Sequence, residues 1–314
     1  MRSLTRRDLF RAAGGLAAGG AMLGAYGVGI EPVWRLHVAS YALTPRRWPS
    51  GLRLRIAAIA DLHACEPFMT AEHVARIVDA TNRLQPDVTV LLGDFEAKHR
   101  FITRRVAGRE WAGELARLKA PLGVFAVLGN HDWWDDAEAQ RRQKGPVLVR
   151  QSLEDRHIPV LENEAVRLAK DGQPFWLLGL ADQLALLRRD GGRRRAVGLD
   201  NLPATLAQIT DTDAPAVLLA HEPDIFPKVP ERIALTLSGH THGGQVRVLG
   251  YSPLVPSRYG NRYAYGHIRE RNHSMIVSGG LGESRLPIRL GVPPEIVVVD
   301  LGHELAGAQP EIRS

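Results

Sequence analysis

Five short apolar runs in this chain each stop at a residue that can bind a metal, and that repetition constrains the fold more than any other feature. Residues 56–60 run into Asp61-Leu62-His63, and 88–92 into Gly93-Asp94. Residues 124–128 lead to Gly129-Asn130-His131-Asp132, 216–220 to His221, and 233–237 to Ser238-Gly239-His240-Thr241-His242-Gly243-Gly244. Runs this short and this continuously apolar suit strands buried on both faces rather than helices. Between the first three lie helical patterns. Thr70 is placed to cap a helix whose apolar face is Val74, Ile77, Val78 and Leu84, and a second helix is predicted over about 105–118. The β-α-β-α-β series predicts a parallel sheet with helical crossovers. In such sheets ligands bind beyond the carboxyl ends of the strands. Asp61, His63, Asp94, Asn130, His131, His221, His240 and His242 are therefore expected on one rim. His240 and His242 can aim at one space only if the backbone turns between them, which the flanking glycines permit.

The second half is richer in strands. A hairpin is expected from 166–168 and 175–180 around Asp171-Gly172, with further strands at 216–220, 233–237, 245–248, 275–277 and 296–299, and an edge strand at 34–41. Residues 187–195, with Gly191-Gly192 and five arginines, read as a mobile basic loop. No repeat and no domain boundary interrupts residues 50–302, which are expected to form one domain followed by a tail at 303–314. With 45% hydrophobic and 24% charged residues the chain can bury a sizeable core. The net charge of +6 suits an anionic substrate, an anionic membrane surface or nucleic acid, and separates none of them. The single cysteine, Cys65, excludes an intramolecular disulfide and is expected to be a buried, inert thiol.

Residues 1–30 stand apart from this pattern. Arg2, Arg6, Arg7 and Arg11 precede an uncharged stretch of mostly Gly, Ala, Leu and Met. Thr5-Arg6-Arg7-Asp8-Leu9-Phe10-Arg11 resembles a twin-arginine export signal. That resemblance implies the twin-arginine machinery as a partner and a location in the periplasm or on the outer face of the cytoplasmic membrane. Whether the segment is cleaved or kept as an anchor stays open.

Carboxylates, an amide oxygen and imidazoles suit Mn²⁺, Fe or Zn²⁺. A carboxylate shared by two such ions is the geometry of a two-metal hydrolase, which activates a water and clamps phosphoryl oxygens. The five motifs, in this order, resemble the signature of the calcineurin-like metallophosphoesterases. The resemblance covers residues 50–302 and implies a four-layer α/β/β/α sandwich of two mixed sheets flanked by helices. It implies that Asp61, His63 and His242 bind a first divalent metal, that Asn130, His221 and His240 bind a second, and that Asp94 bridges them. A hydroxide shared by the metals would attack phosphorus. His131 is implied to contact the phosphoryl group and assist the leaving oxygen, with Asp132 orienting it. Glu96, after the bridging Asp94, departs from the family pattern and is expected to face solvent.

The sequence after His242 narrows the resemblance to exported bacterial phosphodiesterases of the YkuE/YaeI type, related to UDP-2,3-diacylglucosamine pyrophosphatases. Arg258 can hold a phosphate by paired hydrogen bonds. Tyr259, Tyr263 and Tyr265 can line an acyl or base pocket, and Trp133-Trp134 either stack on substrate or pack under the loop. The expected activity is phosphodiester or pyrophosphate hydrolysis, on a small or lipid-linked substrate. The competing readings are a nuclease or nucleotide phosphohydrolase and a non-catalytic metal-binding protein at a membrane surface. No stable nucleic-acid partner is expected, because the arginines cluster in one segment rather than along a groove.

Overall fold

The computed structural model describes residues 5–302 except Thr212, so the tail at 303–314 lies outside the described residues. Two sheets face each other. The first has five strands in the order His37–Leu43, Glu295–Leu301, Leu54–Ile59, Val88–Leu91, Val124–Ala126. The second has six: Gly266–Glu270, His273–Val277, Ile233–Ser238, Ala216–Leu219, Gln173–Gly179, Glu164–Lys170. Alternation along each strand splits the buried residues between two layers. Ile56, Ala58, Val88 and Val90 meet Leu177, Val217, Leu219, Leu235 and Leu237 between the sheets. Ile59, Leu91 and Ala126 turn the other way, against helices Ala71–Arg83, Gly108–Leu115 and Leu148–Glu154. The outer face of the second sheet is covered by helix Leu202–Ala207 and the turn Pro223–Lys228. The result is an α/β/β/α sandwich.

Local chemistry explains most of these elements. Thr70 caps the helix Ala71–Arg83 by accepting the His73 N–H at 3.3 Å. That helix buries Val74, Ile77 and Val78, each a gain of about 1.5–3 kcal/mol relative to exposure. The strands Leu54–Ile59, Val88–Leu91 and Val124–Ala126 run parallel, as the crossovers require. The sheet as a whole is mixed, because Glu295–Leu301 enters antiparallel beside Leu54–Ile59 and pairs on its other edge, in parallel, with His37–Leu43.

Four local expectations are corrected. Residues 187–195 are not a loop: Leu186–Asp190 and Arg193–Val197 form an antiparallel hairpin. Gly191 and Gly192 have φ of 53° and 82°, the left-handed pair that a two-residue turn needs. Residues 245–248 are not a strand, since positive φ at Gly244, Gln245 and Leu249 breaks the extended path. The second crossover helix is shorter than expected, Gly108–Leu115. Glu96 does not simply face solvent: its carboxylate accepts the Trp111 indole N–H at 3.1 Å, and Trp111 stacks on Phe95.

The N-terminal segment forms a helix, Arg6–Ala25, followed by the turns Tyr26–Ile30 and Glu31–Trp34. No described helix is long and apolar enough to cross a membrane. Gly27 and Glu31 touch the domain directly. The Gly27 carbonyl accepts the Arg289 N–H at 2.8 Å, and the Glu31 carboxylate accepts the Val292 N–H at 2.9 Å. A Cβ on Gly27 would sit 3.0 Å from the Arg289 carbonyl oxygen, a tight fit that favours glycine.

Candidate metal centre

The strand ends converge, and the backbone turns sharply at the residues that converge. Asp61, His63, Asp94, His240 and His242 all have positive φ, between 46° and 69°. Non-glycine residues rarely adopt this region, and it clusters at functional sites. The turn between His240 and His242 is thus made by the histidines themselves. Gly243 and Gly244 continue the turn with φ of 59° and 81°, whereas Gly239 and Gly129 serve close approach. A Cβ on Gly239 would lie 2.7 Å from Asp61 Oδ2, and one on Gly129 would overlap the Asp94 carboxylate and the His221 ring.

Two groups of ligand atoms result. In the first, Asp61, His63 and His242 each place one atom within 4.8 Å of the others. The Nε2 atoms of His63 and His242 lie 3.1 Å apart on stacked rings, and His242 Nε2 lies 3.7 Å from Asp61 Oδ1. His63 Nδ1 faces the Glu96 carbonyl at 3.2 Å, which commits its proton there and leaves Nε2 as the lone pair. In the second group, Asp94, His221 and His240 converge likewise, with Asn130 Oδ1 at 2.8 Å from His240 Nδ1. His221 donates from Nδ1 to the Leu92 carbonyl at 2.6 Å; its Nε2 is buried without a hydrogen-bond partner.

Asp94 lies between the groups. Its Oδ2 is 3.6 Å from His63 Nε2 and 3.3 Å from His221 Nε2, while Oδ1 accepts the His131 backbone N–H at 2.8 Å. One carboxylate oxygen is fixed by the backbone and the other faces both pockets, which is where a shared ligand must sit.

Buried polar atoms without partners call for an explanation, and cations supply one. Two inward lone pairs at 3.1 Å in the first group, and an orphaned Nε2 beside a carboxylate in the second, form a donor set suited to divalent metals. Burial pushes His63 down to about 3, His240 down, and His242 well below its ordinary range, so these rings are in the neutral, ligating form. Burial raises Asp61 to about 7. Burial also opposes charge on His221, but Asp94 at 3.3 Å, with Glu222 and Asp61, wins and holds it well above its usual value. Burial works against Asp94 ionising too, and His221 and His131 keep it well below the carboxylate range.

The walls of the two pockets differ. Arg289 is fully buried; it donates to the carbonyls of Gly279, Gly282 and Val292, and its Nη2 lies 3.4 Å from His242 Nδ1. On the other side, Asp182 and Glu222 close on His221, one ligand-type atom from each within 4.8 Å. Burial, then Glu222, raises the Asp182 carboxyl well above its ordinary value. His221 can offer only Nε2, because Nδ1 is committed to the Leu92 carbonyl, so this third grouping shares the second pocket's cation rather than holding another.

His131 stands at the edge of the centre, its side chain 18% exposed, edge-on to His63 and beside Trp134. Its Nε2 faces Ser284 Oγ at 3.3 Å. The role expected of Asp132 is corrected here. Asp132 accepts the backbone N–H groups of Asp94, Phe95 and Gly129 at 2.8–2.9 Å, knitting two ligand loops together. The carboxylate facing the His131 ring is Asp135, 3.6 Å from Nδ1. Burial opposes the imidazolium, but Asp94 and Asp135 outweigh it and raise His131.

The expected substrate residues lie elsewhere. The Arg258 side chain is 78% exposed, 3.7 Å from Asp224, and Tyr259 packs on Tyr263; among the described residues no contact joins either to the ligand groups. Tyr263 is buried and bonded to Glu270, and the Tyr265 hydroxyl is committed to Glu295, so neither lines an open pocket. Trp133 is core, while Trp134 donates to the Leu184 carbonyl. Cys65 is a buried free thiol whose pKa is raised by burial to about 11.

Comparison with known proteins places these features in context. The family model "Calcineurin-like phosphoesterase" matches residues 54–244. The metallophosphoesterase YkuE of Bacillus subtilis (strain 168) is 27% identical over 309 residues, covering 96% of this chain and 99% of its own. A metallophosphoesterase of Aquifex aeolicus (strain VF5) is 27% identical over 283 residues, covering 85% and 92%. A dimetal phosphatase from Danio rerio superposes with a TM-score of 0.41 at 13% identity, over 73% of this chain and 88% of that one.

Proposed function

The chain belongs to the calcineurin-like phosphoesterase family, and from that premise we propose that it is a di-metal phosphodiesterase. The observation that carries this reading is Asp94 Oδ2, within 3.6 Å of a ring nitrogen from each ligand group. Asp61, His63 and His242 would hold one divalent cation, Asn130, His221 and His240 the other, and Asp94 both. Bound there, two such ions supply Lewis acidity toward phosphoryl oxygens and a water of lowered pKa; manganese, iron and zinc all suit the donors.

The chain's own residues set the rest of the chemistry. Asp132 fixes the loops that carry Asp94 and Asn130, so the pocket spacing does not depend on substrate. A diester must release an alkoxide or phosphate oxygen, which needs a proton as it leaves. His131, raised by Asp94 and Asp135, carries that proton at Nε2, the ring atom facing the partly open side at Ser284. Asp135 faces the opposite nitrogen and balances the imidazolium. We assign the physiological substrate to phosphodiesters or pyrophosphates, lipid-linked ones of the UDP-2,3-diacylglucosamine kind included, met after export by the twin-arginine route.

The test is a substrate panel on metal-reconstituted protein: bis-p-nitrophenyl phosphate, p-nitrophenyl phosphate, nucleotides and UDP-2,3-diacylglucosamine, each with Mn²⁺, Fe²⁺ and Zn²⁺. Turnover of the diester in excess of the monoester is expected, and the reverse order would make the protein a phosphomonoesterase. Absence of turnover with every divalent metal overturns the enzymatic reading.

A further inference from the structure

One surface outside the metal centre has no packing role. Leu249, Tyr251 and Leu254 are 102%, 62% and 82% exposed, Leu286 is 50% exposed, and Ile30 and Trp34 are 48% and 79% exposed. These residues come from three separate stretches joined through one segment, 286–292. Arg247 donates its N–H to the Leu290 carbonyl at 2.8 Å, while Arg289 and Val292 donate theirs to Gly27 and Glu31. Contiguous exposed apolar residues on a folded domain mark an interaction site.

The turn at the tip is built, not frayed. Val248 and Tyr251 exchange both backbone hydrogen bonds at 2.9 and 3.0 Å, and Leu249 and Gly250 take φ of 50° and 81°. Asparagine or glycine ordinarily fills the first of these positions. A leucine there bears backbone strain and buries nothing within the chain, and strain of this kind points to function.

Charge indicates what covers the surface. Residues 9–30, 244–260 and 284–294 contain no aspartate or glutamate, and among their arginines Arg11 and Arg285 are exposed and Arg247 is half-buried, while Arg289 is buried and Arg258 faces Asp224. Exposed leucines for acyl chains, a tryptophan and a tyrosine for the headgroup level, and the exposed Arg11 and Arg285 match one partner, an anionic bilayer. The surface also adjoins the centre. Ser284 faces His131, its N–H is accepted by the Gln245 side chain at 3.0 Å, and that same side chain donates to the Leu286 carbonyl at 2.8 Å.

We propose that this surface seats on an anionic lipid bilayer, with the 249–254 turn reaching the headgroup–acyl boundary and His131 held at the membrane's edge. The proposal does not depend on which phosphoester is cleaved.

The test is flotation of the full chain with vesicles of phosphatidylcholine alone and of phosphatidylcholine with phosphatidylglycerol. The wild type is expected to float with the anionic vesicles. The pair Leu249→Glu and Leu254→Glu is expected to lower that binding at least about tenfold, from loss of two leucine insertions, with melting temperature and metal content unchanged. The milder pair Leu249→Ser and Leu254→Ser guards against misfolding and is expected to weaken binding in the same direction. Arg285→Glu is expected to lower binding to anionic vesicles without changing binding to neutral ones. The proposal is overturned if the wild type does not float with anionic vesicles or if both leucine pairs float as well as it does. It is equally overturned if the wild type is a dimer that the leucine variants dissolve, which would make the surface a contact between copies.

Discussion

Behind His242 lies a guanidinium, and behind His221 lie two carboxylic groups. Each pocket has two imidazoles and a share of Asp94, but the first adds the Asp61 carboxylate where the second has the neutral Asn130 amide. The contrast has a physical consequence. The field that holds a proton on His221 acts twice over on a divalent cation, whereas Arg289, which helps keep His242 unprotonated, opposes any cation beside it. Asp61 and Arg289 offset one another at the first pocket, whereas the second is walled by Asp182 and Glu222, and on that balance the second pocket should be the tighter one. The first is assembled by a clamp of three carbonyls on Arg289 that keeps its geometry without adding to its affinity.

The largest effect belongs to the residue common to both pockets. Asp94→Asn should cut diester turnover at least about 10³-fold, the scale of losing the main electrostatic element of a site, and leave fewer than two metals by elemental analysis. Full metal content in this variant would remove Asp94 from the bridging position. His131→Ala should keep both metals yet lose about 10²-fold or more in kcat, the usual share of a general acid. A parallel fall in metal content would make His131 a ligand.

Glu222→Gln removes one charge from the second wall only. It should weaken the tighter of two Mn²⁺ binding steps about tenfold, near 1.4 kcal/mol, measured by competition with a chelating dye. If the weaker step moves instead, the two pockets have been ranked in the wrong order. Asp135→Asn gives the smallest effect, visible in the pH profile. His131 must be protonated to act, and its pKa is raised by Asp94 and Asp135, so activity is lost as pH rises through that raised value. Removing the Asp135 charge lowers the pKa, and the alkaline limb of kcat should move to lower pH by about one unit. Asp132→Asn should instead lower stability, because Asp132 accepts three backbone N–H groups and does not face the ring.

The same contrast separates what was legible in the sequence from what was not. The candidate ligands could be read because each follows an apolar run, and strand ends place them on one rim without knowledge of side-chain contacts. That rule also reaches Asp182, just beyond the strand Gln173–Gly179, and Glu222, adjacent to His221. Arg289 was not legible as part of the centre. It lies in an irregular segment with no periodicity, and its burial depends on carbonyls ten, seven and three residues distant. Asp132 and Asp135 could not be told apart either, since their difference lies in backbone hydrogen bonds across two loops. The hairpin at 186–197 is hidden in the sequence because a dense run of arginines masks a two-glycine turn.

One titration tests the unequal pair most directly. Metal-free protein is titrated with Mn²⁺ while bound metal and turnover of bis-p-nitrophenyl phosphate are followed on the same sample. The second pocket should fill first and silently, with turnover appearing only as the second equivalent binds. Full turnover at one equivalent, with no gain from a second ion, would contradict a centre that needs both pockets.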